Sequence, residues 1–85
     1  MGATELRTLY AQTDYPRRIA AGELVRRTLY ERMLPGGGAS RIIAYTEQGH
    51  DEKLLVVHQR EHRSGAMTQP DPKLVWVGGV FYWTK

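Results

Sequence analysis

Cysteine does not occur anywhere in these 85 residues, which excludes a disulfide framework and any thiolate metal site. A small secreted domain normally needs such staples, so an intracellular, cytoplasmic setting is expected. Long apolar runs are scarce as well. The longest, Leu74 to Trp83, is interrupted by Gly78 and Gly79 and is half the length of a membrane span. It reads as a buried strand, and no membrane partner is expected. Residues Met1 to Glu5 hold no basic segment leading into an apolar one, so no signal peptide is read there. Leu6 stands where a myristoylation motif has Ser or Thr, so no lipid anchor is expected either.

What is present is an ordinary globular balance, with 41% hydrophobic and 25% charged residues, and this points to a folded chain rather than a disordered one. The length allows one core, so residues 1–85 are read as a single domain. Net charge is +3, modest in total but uneven in placement. Every basic residue from Arg7 to Arg41 is arginine, namely Arg7, Arg17, Arg18, Arg26, Arg27, Arg32 and Arg41. Guanidinium suits bidentate contact with phosphate or carboxylate, although a GC-rich genome enriches arginine codons for no functional reason.

Hydrophobic spacing changes midway along the chain. Leu6, Leu9 and Tyr10 after Thr4 predict a short first helix. Asp14 and Pro16 open a second, longer helix over residues 17–34, in which Gly22, Val25, Leu29 and Met33 share one face. Pro35-Gly36-Gly37-Gly38 ends it. Three strands near 41–46, 53–60 and 74–83 then follow, rich in β-formers and separated by polar turns. Gly78-Gly79 is read as a bulge or tight bend within the last of them. The expected class is therefore α+β: two N-terminal helices, one short and one long, followed by a three-stranded antiparallel β-meander, with the second helix across one face of the sheet.

Three constellations could carry chemistry. On a continuing strand, His58, Arg60 and His62 project to one face at two-residue intervals. Two imidazoles and a guanidinium are the set a metal-independent ribonuclease needs: base, acid and fixed positive charge. The expected order of helices before an antiparallel sheet resembles, in layout, that of small bacterial ribonuclease toxins. Metal binding by His50, His58 and His62 is disfavoured, because residues four apart on a strand stand about 13 Å apart. No metal or other cofactor is expected. The third constellation is the arginine surface of Arg17, Arg18, Arg26, Arg27, Arg32 and Arg41, backed by Arg60, which could track a phosphate backbone. Tyr10, Tyr15, Tyr45, Trp76 or Trp83 would then offer stacking planes. The competing account pairs Arg27 with Glu23 and Glu31 on a solvated helix.

The leading functional expectation is a small basic binding or regulatory protein that acts on nucleic acid or on a partner that handles it. Small size and the lack of a metabolic motif suit an accessory gene of a phage or mobile element. A ribonuclease toxin acting through His58, Arg60 and His62 is the second expectation. The third is an inhibitor or assembly subunit that meets a partner protein, or a second copy, through the apolar C-terminal strand.

Overall fold

A computed structural model describes residues 1–84. Its elements are α1 (Ala3–Gln12), α2 (Tyr15–Ala20), β1 (Val25–Met33), β2 (Ala39–Thr46), β3 (Lys53–Glu61), β4 (Asp71–Val77) and β5 (Val80–Trp83). All five strands join one antiparallel sheet in the order β1-β2-β3-β4-β5. The molecule measures 41 × 31 × 20 Å, and its short axis is that of one sheet and one layer of helices.

The expectation of a long second helix and a three-stranded meander is overturned. Helix α2 stops at Ala20 because Gly22 takes a left-handed φ of +70°. Glu23 N–H donates to the Arg18 carbonyl at 2.9 Å and Gly22 N–H to that of Ile19 at 3.1 Å. This is a Schellman closure, which places glycine just past the helix end. Read as an interior helix residue, Gly22 would have cost about 1 kcal/mol. The segment beyond it, Val25 to Met33, is a strand laddered to β2 from Val25↔Thr46 to Met33↔Ala39, with a bulge at Leu29.

The last apolar run is likewise two strands and not one. Val77 pairs with Val80 across Gly78 and Gly79, whose φ values are +59° and +83°. Two consecutive residues with positive φ make the type I′ hairpin turn, which glycine adopts without a Cβ penalty.

The main core cluster lies on one face of the sheet, and among the described residues small Ala44 is the one fully buried residue of the other. Leu6 of α1, Tyr15 of α2 and Leu24 pack with Ile43, Tyr45, Leu55, Val57 and Val75. In register, Ile43 faces Val57, Tyr45 faces Leu55, and Leu55 faces Val75, so these strand residues share a side. The Tyr15 hydroxyl donates to the Trp76 carbonyl at 2.5 Å and ties α2 to β4. Helix α1 packs over β4. Edge strand β1 is exposed along all nine residues. Its bulge and its charges at Arg26, Arg27, Glu31 and Arg32 are devices that keep a free edge from pairing with other chains.

Candidate functional site

The other face of the sheet carries no helix, and the pairing register assigns its residues. One rung reads Arg32–Ser40–Arg60 across β1, β2 and β3. The next reads Tyr30–Ile42–His58, with Asp71 opposite His58 on β4. A third runs Arg27–Ala44–Val56–Leu74–Trp83 across all five strands. Beyond it, Trp76 pairs with Phe81. At about 4.8 Å per strand, this face is about 19 Å wide from β1 to β5.

Its aromatic rings are open to solvent: Tyr30 is 60%, Trp76 37%, Phe81 44% and Trp83 57% exposed. A small domain has little reason to leave four large rings on one bare face, since such patches mark binding surfaces. Arg27, Arg32 and Arg60 are also exposed, and among the described residues none of them pairs with a carboxylate. Asp71 is the one acidic residue on these rungs. Its carboxylate is already bonded by Arg7 at 3.1 Å and Lys73 at 3.1 Å. Burial alone would raise the Asp71 carboxyl, but those hydrogen bonds outweigh it and hold the group below the ordinary carboxylate range. At the β1 end a shallow recess of about 300 Å³ lies between Val25, Arg27 and Thr46 and the turn residues Glu47, Gly49, His50 and Asp51.

The six arginines singled out in the sequence divide sharply. Arg17 bonds Asp14 at 2.6 Å and Glu23 at 2.9 Å, and Arg18 bonds Glu47 at 2.7 Å. Arg41 lies between Glu31 at 2.5 Å and Glu61 at 2.6 Å, on the helix-facing side. Those three charges are answered internally. Glu23 and Glu31 therefore serve Arg17, Arg18 and Arg41, not Arg27 as a helical i,i+4 spacing implied. Arg26 pairs with Tyr45 in register, so it too belongs to the helix-facing side. Arg27 and Arg32 remain on the open face, where Arg60 joins them.

The histidines differ in setting. His58 and Arg60 stand on the open face, and Ser40 Oγ lies 2.6 Å from His58 Nε2. His62 lies beyond the end of β3, in an exposed turn closed by His62 N–H to the Ala66 carbonyl and Gly65 N–H to that of His62, both at 2.8 Å. Of the rings named as stacking planes, Tyr15 and Tyr45 are core and Tyr10 packs against it. Trp76 and Trp83 are on the open face. Tyr30 is hidden by a helical reading of 17–34, the exposed side of Phe81 by a single last strand, and Ser40 by a strand expected from 41, since β2 begins at Ala39.

Among the described residues no helix is long and apolar enough to cross a membrane. Comparison with protein-family models, with curated proteins and with solved structures finds no match, so function has to be read from the chain's own surface.

Proposed function

We propose that the protein binds single-stranded nucleic acid on the open face of its sheet. The observation that carries this reading is the coincidence, on one bare face, of four exposed rings with three arginines that lack a carboxylate partner. Unpaired bases stack on aromatic planes, each worth about 1–3 kcal/mol, while guanidinium groups neutralise the backbone. Duplex DNA is a poorer fit, because a broad flat sheet presents no helix or narrow ribbon to a major groove. The reading leaves the cytoplasmic setting and a phage or mobile-element origin as expectations of the sequence.

Both tryptophans of the chain, Trp76 and Trp83, lie on this face, so intrinsic fluorescence reports directly on it. Titration with a short unstructured oligonucleotide is expected to quench that emission. Trp83→Ala is expected to weaken binding by about 1–3 kcal/mol, or roughly 5- to 150-fold, with little loss of stability. Unchanged emission and no retention of RNA or DNA at low salt would refute the reading. A ribonuclease using His58, Arg60 and His62 is the second reading, and cleavage of RNA in the presence of chelator tests it in the same samples. A sedimentation coefficient that depends on concentration in the absence of oligonucleotide, and no longer does so in Trp83→Ala, would instead assign the Trp76, Phe81 and Trp83 end to a second copy.

A further inference from the structure

We infer that Arg32, Ser40, His58 and Arg60 form a subsite for a phosphate oxyanion at the arginine end of the open face. On the preceding reading, from which this follows, the phosphate is that of the bound strand. Arg32 and Arg60 are the register neighbours of Ser40 on either side, which sets their Cα atoms about 10 Å apart with a hydroxyl between them. Both arginines are exposed and without an acidic partner among the described residues.

The opposite side of the same three strands shows what such a triplet can do. There the signs are reversed: Arg41 on β2 is flanked by Glu31 of β1 and Glu61 of β3, and both carboxylates converge on it, at 2.5 and 2.6 Å. Side chains from the two outer strands therefore meet above the central strand in this part of the sheet. On the open side the outer charges are cationic and the central residue is a neutral serine, so the complement they call for is an anion supplied from outside. Two guanidinium forks match a tetrahedral oxyanion in geometry as well as charge.

Ser40 and His58 complete the donor set. With His58 Nε2–H donating to Ser40 Oγ across their 2.6 Å contact, the serine hydroxyl keeps its own proton to give to the oxyanion. An anion seated above Ser40 selects this arrangement, since the reverse one turns the hydroxyl proton towards the imidazole. The next rung contributes Tyr30 of β1, next to Arg32's rung and across Ile42 from His58, a ring placed to stack on the base attached to that phosphate.

The test is NMR of the full chain titrated with inorganic phosphate at constant ionic strength, following arginine Nε–H and histidine ring resonances. Saturable shifts are expected at Arg32, Arg60 and His58 but not at Arg26 or Arg41. Arg32→Gln or Arg60→Gln is expected to weaken phosphate about tenfold, and Ser40→Ala to abolish the His58 response. Both arginines are exposed, so their glutamine variants should fold, which the dispersion of the same spectra verifies. Shifts that never saturate, or that fall equally on Arg26, overturn the subsite.

Oligonucleotides with and without a 5′-phosphate then distinguish the source. Tighter binding of the phosphorylated strand assigns the subsite to a terminal monoester, and equal binding with Arg32 and Arg60 shifted assigns it to an internal diester. Oligonucleotide binding that leaves Arg32 and Arg60 unmoved refutes the subsite while the nucleic-acid reading stands. Saturable phosphate binding without oligonucleotide binding does the opposite.

Discussion

Replacing Arg27, Arg32 and Arg60 together by glutamine removes three charges from the open face and keeps side chains of similar reach. None of the three bonds a carboxylate among the described residues, so no acid is left uncompensated and the fold should be little disturbed. If each arginine meets one phosphate of a single strand, the plot of log affinity against log salt flattens by about 0.7 per contact, or about 2 for the triple variant. Over a fourfold rise in salt, the wild-type protein then loses roughly 20-fold in affinity through these contacts, a loss the variant does not suffer.

The control is the matched triple Arg17→Gln, Arg18→Gln, Arg41→Gln, which removes the same total charge from residues already bonded to Asp14, Glu23, Glu47, Glu31 and Glu61. It should leave the slope almost unchanged, and Arg26→Gln, on the helix-facing side, should do the same. Tryptophan quenching at several salt concentrations measures all of these. Equal flattening by both triples would mean that only net charge matters, and the division of the arginines by partner would be refuted.

Leu6 is fully buried against the sheet, so Leu6→Ala should cost about 2–5 kcal/mol, read from the urea midpoint; a smaller loss would mean that α1 contributes little to the core. A Cβ at Gly38, where φ is +85°, would stand 2.4 Å from the Glu61 carbonyl oxygen, whereas at Gly36, with φ +84°, it would meet nothing within 4 Å. Both alanine variants incur about 1–3 kcal/mol of backbone strain, and Gly38→Ala should lose measurably more, with equal losses refuting the close approach. Arg17 and Arg18 hold the carboxyls of Asp14 and Glu47 below their usual range, as Lys73 and Arg7 do for Asp71. Stability from depressed carboxyls is present above the unfolded value near 4 and lost as pH falls through the lower folded values. Burial raises the Tyr10 and Tyr15 phenols, and stability from raised phenols is present below about pH 10 and lost above it. Tm should therefore fall at both extremes, and a Tm unchanged below about pH 4 would count against the carboxylate pairs.

Composition and local pattern were enough to determine a mixed α and β class, a helical start, antiparallel order in the C-terminal half and the absence of any disulfide or thiolate chemistry. Local pattern is strong in Leu54 to Val57, where Leu55 and Val57 are fully buried and Leu54 and Val56 partly so. It failed at Val25 to Met33, whose residues are all exposed; with no face to bury, their spacing matched a helix by coincidence. What makes that segment a strand is its ladder to β2, a pairing between distant residues that no window of sequence contains. Two local signals were legible and pointed the right way, Gly22 as a helix terminator and Gly78-Gly79 as a two-residue hairpin turn. The candidate site depended on both being read that way. Whether an arginine is free or already answered by a carboxylate, and whether a ring lies under the helices or on the bare face, is decided by register, which exists only once the five strands are paired.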